Sequence, residues 1–181
     1  MDNIPGILQE IGVAIASITA ENDRLRKENR DLRSKLEVPN GVGKTQTTFD
    51  FGAGPVPAHQ HPNGGGWVAD TAHVADTAYV GLHARVFDNA RVIGKAWVTG
   101  NARVYGKAEV YGRARVTCNA RVYGKADVCD NAEVCDNARI CGNAEVYGNA
   151  MVYGNAEVSG WARVYGNARV FEAQLFEGTH T

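Results

Sequence analysis

Eighteen consecutive sixth positions, from Val68 to Val170, hold Val, or Ile in the case of Ile140, and Ala stands two residues before seventeen of them, Gly66 being the exception. Two residues apart on an extended strand lie on the same face, so Ala and Val point inward together while the residues flanking Val point out. A Gly-Asn or Asp-Asn pair between units, such as Gly100-Asn101 or Asp130-Asn131, supplies a tight turn because these types tolerate positive φ. One Ala and one Val per unit fill only a narrow interior. That explains an odd composition of 21 Val against six Leu, four of which precede residue 40. Leu is too bulky for such a core.

Units such as NARVYG and NAEVYG resemble the hexapeptide pattern of the left-handed parallel β-helix family, in which three hexads make one triangular coil. The resemblance implies an all-β left-handed parallel β-helix of six coils over residues 66–172 and a C-terminal cap or tail over 173–181. At about 4.8 Å per strand layer the prism would stand roughly 29 Å tall. Bare strand edges invite stacking, so the ends need covers. Gly64 to Trp67 with the preceding helix would serve one end, Leu175 with Phe176 the other.

Residues 1–37 read as an α-helical parallel coiled coil, the helix itself over 6–37. Ile11, Ile18, Leu25 and Leu32 recur at seven-residue intervals, and Leu8, Ile15, Asn22, Asn29 and Leu36 form the second series, which are d and a positions. Glu21 and Glu28 at g can reach Arg26 and Arg33 at e of a parallel neighbour. The oligomer interface is therefore expected at Ile11, Ile15, Ile18, Asn22, Leu25, Asn29, Leu32 and Leu36. Asn at a beside Leu at d favours two strands, whereas Leu8 with Ile11 and Ile15 with Ile18 favour three or more. The seam leaves dimer against trimer open.

Residues 38–65 carry four of the five Pro and read as a Gly/Pro-rich neck or linker. The string NGVGKT within it is a poor phosphate loop, since Val38 stands where the first Gly is needed and no strand precedes it. His59-Gln60-His61 places two imidazoles on one side of an extended segment. Three chains around an axis would supply six nitrogens, enough for an octahedral transition metal.

Stacking every eighteen residues sorts the outward positions onto three faces. The first carries Arg85, Arg103, Arg121 and Arg139, with Tyr105 and Tyr123 beside them, and the second carries Glu109, Asp127 and Glu145. The third, which includes Tyr79, Trp97, Arg115 and Glu133, has no single sign. Like charges stacked this closely repel and call for a partner. Assembly is the preferred use, because the Arg face of one chain can meet the acidic face of the next in a parallel ring of three, whereas a dimer sets Arg against Arg. The expectation is a parallel homotrimer, with a dimer as second choice. Binding of a polyanion such as nucleic acid by the Arg ladder is the other use.

A net charge of −1 excludes a global field toward nucleic acid or membrane. No run of about 18 apolar residues spans a bilayer, and Ile11 to Ala20 fails as a signal sequence because no Lys or Arg precedes Arg24. A cytoplasmic protein with free thiols at Cys118, Cys129, Cys135 and Cys141 is expected.

Enzymes of the resembled family are mostly acyltransferases using acetyl- or acyl-coenzyme A, with a catalytic His near a loop interrupting the coils. Here no hexad is interrupted, and His73 and His83 read as surface residues. No catalytic residue and no required cofactor are assigned, and acyltransfer is the alternative. The expected function is non-enzymatic: an elongated homo-oligomer presenting a rigid β-helix to a protein or polyanion partner. Loop-free hexad runs look similar to proteins frequent in phages, which implies a virion or host-interaction role, as structural protein or inhibitor.

Overall fold

The computed structural model describes residues 47–181 together with Glu21, Arg24 and Glu28. Those three are helical, with Arg24 Nη2 2.8 Å from Glu21 Oε1. The seam residues of the expected coiled coil lie outside the described residues.

From Trp67 to Phe171 the chain makes eighteen strands, most of them two residues long, one for each hexad. Strands eighteen residues apart pair in parallel and in register, so that Arg103 lies between Arg85 and Arg121, and Val104 between Val86 and Val122. Three parallel stacks result, the three walls of a prism, numbered here in chain order as faces one, two and three. Backbone N–H groups of one coil donate to carbonyls of the next, as in Arg103 N to Ala120 O at 3.0 Å and Tyr105 N to Val122 O at 3.0 Å. Short strands survive because all but those at the ends are held on both sides and because their inward Ala and Val are fully shielded: every such pair from Ala78 to Val164 is 0% exposed. Ile140 is the largest side chain in this interior.

From Asp88 onward the corners between hexads adopt positive φ. Gly142 sits at 70° and Cys118, without the freedom of Gly, at 59°. Asp130 and Asp136 hold the same conformation at 60° and 57°, and each spends its carboxylate on the next coil, accepting from Gly148 N at 3.1 Å and Gly154 N at 3.0 Å. Asn side chains also ladder between corners, as in Asn119 Nδ2 to Asn137 Oδ1 at 3.2 Å.

Both ends depart from the repeat. Where the sequence suggested an irregular neck, β1 (Thr48–Asp50) and β2 (Pro55–Gln60) form an antiparallel hairpin, and β2 pairs antiparallel with β3 (Trp67–Ala69), the first strand of face one. Asp50 Oδ1 pins the hairpin turn by accepting from Gly52 N at 2.7 Å and Gly54 N at 3.0 Å. The following turn, residues 61–66, covers the edge of face three: Gly66 N donates to Val80 O at 2.9 Å and Val80 N to Asn63 O at 3.0 Å. A Cβ on Gly66 would stand 2.4 Å from Gly81 O, so this contact demands Gly.

At the other end the spacing shortens. Gln174–Leu175 pairs with Glu157–Val158, an offset of seventeen residues from 157 to 174, and Thr179–His180 pairs with Arg163–Val164. Leu175 packs against the core, its larger side chain fitting where the next coil is absent. Phe176, expected to help cover this end, is 55% exposed.

Candidate partner-binding face

Face one concentrates the distinctive chemistry. Arg85, Arg103, Arg121 and Arg139 stand in register, one coil apart. Beside them the residues just after the buried Val form a column of rings. Phe87 and Tyr105 have centroids 4.8 Å apart at an interplanar angle of 2°, and Tyr105 and Tyr123 are 4.9 Å apart at 3°. The column would be missing its top rung, since Ala69 holds that position. The hairpin supplies one from outside the repeat: the Phe51 ring lies 4.9 Å above Phe87 and Phe51 is buried. Phe49 stacks on Trp67 at 4.5 Å and meets Phe51 edge-on at 4.9 Å. The Arg85 guanidinium lies 5.1 Å from the Phe49 centroid, a cation–π contact. Phe51, Ala58 and Ala69, backed by Phe49, Trp67 and Phe87, thus make a second small core outside the prism wall.

Below the hairpin turn this arrangement leaves a groove of about 1000 Å³. Its upper part is apolar, from Phe51, Val56, Pro57 and Phe87, and Arg103, Lys107 and Arg121 line its lower part around Tyr105; two carboxylates also line it, Asp70 beside His59 and Asp88 accepting from Gly106 N. Among the described residues none of these three cations is in an ion pair. Burial raises the Tyr105 hydroxyl, and a hydrogen bond with the Cys141 thiol, followed by burial, pushes Tyr123 up to about 12. Both phenols therefore stay neutral and take nothing from the positive charge of the column.

Face two was expected to mirror this as an acidic ladder. Glu109, Asp127 and Glu145 do stack in register. The structure adds that Arg residues close the ladder at both ends, Arg91 Nη1 lying 2.9 Å from Glu109 Oε1 and Arg163 Nε 3.2 Å from Glu145 Oε2. Among the described residues, Asp127 alone of the three ladder carboxylates lies in no ion pair. Burial, then repulsion from Glu109 and Glu145, raises its carboxyl above the usual range. A raised folded value means that the charged form is penalised in the folded state, fully above that value and not at all below the unfolded one near 3.9. Asp127→Asn should accordingly raise stability at pH 7 by about a few tenths of a kcal/mol, solvent screening keeping the effect small. The gain should fade as pH drops toward 4, which urea midpoints at the two pH values would measure.

His59 and His61 are held apart by their partners. His59 is exposed, its Nδ1 2.9 Å from Asp70 Oδ1, while His61 is 3% exposed in the covering turn, with Nδ1 3.3 Å from Asn63 N. His61 Nε2 is buried without a hydrogen-bond partner. Among the described residues no three His, Cys, Asp or Glu come together as a ligand set. His73 and His83 are exposed. The four thiols are free. Cys129, Cys135 and Cys141 follow the buried residues of faces two, three and one, and burial, then Asp136 and Glu133, pushes the Cys135 thiol up to about 11. That disfavours the reactive thiolate.

The sequence reading missed Phe49, Phe51 and Lys107 as parts of this face. A signal for the first two exists in Phe49-Asp50-Phe51, rings at alternate positions that an extended strand puts on one side.

Residues 84–100, 144–160 and 162–176 match the family model of the YdcK beta solenoid repeat. The fold is a parallel β-solenoid of about six turns. No curated protein and no solved structure matches the chain. The matched stretches of the solenoid lie between residues 84 and 176 and exclude the hairpin, so the groove is built partly from a segment that the matched repeats do not describe.

Proposed function

We propose that the chain is a non-enzymatic binding scaffold, a homo-oligomer that presents a rigid left-handed β-helix and engages an anionic partner through face one. Strands recurring every six residues, with positive φ at the corners, support the hexad winding. A parallel trimer through the N-terminal coiled coil is part of this proposal.

The observation that carries the reading is the inequality of the two charged ladders. The acidic ladder is largely neutralised within its own chain by Arg91 and Arg163. No Arg of the face-one column is in an ion pair among the described residues; Arg85 rests on the Phe49 ring, and Glu157 is next in register to Arg139 at the far end. Each neighbouring pair of guanidinium groups costs up to about 1 kcal/mol even in water-like surroundings, and an incoming anion removes that repulsion as it gains its own attraction. This preference for an outside anion reverses the weighting toward assembly that the sequence suggested.

Asp127 favours one second reading, contact between the Arg face of one copy and the acidic face of the next. Arg103→Glu with Arg121→Glu separates the two. The binding reading expects the mass by light scattering to stay that of wild type while capture of partners is lost. The assembly reading expects the oligomer itself to fall apart. Calorimetric titration with acetyl-coenzyme A tests the acyltransferase alternative, for which saturable binding is required.

A further inference from the structure

Face one repeats one pair of groups, a guanidinium and a ring, at three successive levels: Arg85 with Phe87, Arg103 with Tyr105 and Arg121 with Tyr123. Only the top level is occupied, and its occupant is the chain's own Phe49-Asp50-Phe51. Phe49 takes the Arg85 guanidinium on its face, and Phe51 caps Phe87. Of the two levels below, Arg103, Tyr105 and Arg121 line the open groove of about 1000 Å³, and Tyr123 continues the ring column beneath it.

We infer that these lower levels accept an extended acidic segment of a partner protein carrying aromatic residues, whose rings meet the guanidinium groups as Phe49 meets Arg85 on the level above. The inference rests on the proposed reading of face one as an anion-binding surface and adds the chemistry of what binds there. Carboxylates answer the charges of Arg103, Lys107 and Arg121, none of which is in an ion pair among the described residues.

Aromatic side chains answer the rings. Phe87 and Tyr105 have both ring faces covered by neighbours in the stack, and Tyr123 has its upper face covered with Cys141 next below it, so the groove meets ring edges. Ring edges carry the positive end of the quadrupole and receive the face of an incoming ring or a carboxylate oxygen. A guanidinium beside them receives an aromatic face in the same way. The same fact argues against single-stranded nucleic acid, whose affinity for such surfaces comes from bases lying flat on exposed ring faces. Here a base would have to prise the column apart.

The test uses the full-length protein and fluorescence anisotropy with four probes of equal length: a peptide alternating Asp with Phe and Tyr, the same peptide with its rings replaced by Ala, the same peptide with Asp replaced by Asn, and oligothymidylate. The first probe should bind at least about tenfold more tightly than each of the others. Tyr105→Ala, and separately Arg103→Gln with Arg121→Gln, should each cost about tenfold or more, while Arg169→Gln on face three leaves binding unchanged. These side chains point outward, so a thermal midpoint close to wild type confirms that each variant is folded.

Equal binding of the ring-free peptide or of oligothymidylate would overturn the inference while leaving an anion-binding face in place. Failure of every anionic probe would overturn both.

Discussion

Ala126→Leu should collapse the stability of the solenoid's middle coils, with a loss of about 3 kcal/mol or more from overpacking alone. Ala126 is 0% exposed, and the backbone of its coil is bonded to the coils on either side, Glu109 N to Ala126 O at 3.0 Å and Asp127 N to Ala144 O at 2.9 Å. Three added carbons cannot move outward through the wall. Nor can they move along the axis, where Ala108 and Ala144 occupy the same position in the neighbouring layers, both 0% exposed. The added volume must therefore break strand pairing. Arg115→Leu, which adds the same side chain at an exposed position of face three, should shift stability by less than about 0.5 kcal/mol. Urea midpoints compare the two, and amide hydrogen exchange should show the loss centred on the coils around Ala126, as expected of a chain whose units touch only their neighbours. An Ala126→Leu protein as stable as wild type would mean that the position does not face inward.

Gly142→Val should cost about 2 to 3 kcal/mol, measured in the same way. At φ 70° Gly142 occupies the left-handed region, where a β-branched residue is strongly disfavoured, and a Cβ there would stand 2.8 Å from Gly160 N in the next coil. Gly142→Asp should cost much less. Asp130 and Asp136 hold equivalent corners and offset the strain by accepting from the Gly amide one coil on. Cys118 occupies such a corner at φ 59° with only a long contact to Thr117, its Sγ 3.7 Å from Oγ1. Cys118→Gly should thus stabilise, by up to about 1 kcal/mol. If all three substitutions proved neutral, the corners would not be the rigid points that the backbone angles indicate.

The walls and ladders were legible in the sequence because a repeat defines its own neighbours. With inward Ala and Val recurring in every hexad, closure of three hexads into a coil makes residue 103 the neighbour of 85 and 121, and the Arg and acidic columns follow. The hairpin was not legible, because its docking depends on single complementary contacts with no period. Phe51 fits because Ala69 lacks a ring, and residues 48–60 read as a linker until that vacancy is seen in space. The closing of the acidic ladder by Arg91 and Arg163 lay between: their places could be counted, but their direction along the ladder could not.

The sequence by itself thus determined the narrow Ala/Val core, the number of coils and the charge carried by each face, since these depend only on side-chain alternation and spacing. Tertiary structure alone decided which charged face remains unsatisfied, where the groove lies, and that the chain's own Phe49 and Phe51 occupy its top. Those outcomes turn on the reach of individual side chains across coils. That reach is a matter of distance and orientation, which a period in the sequence does not encode.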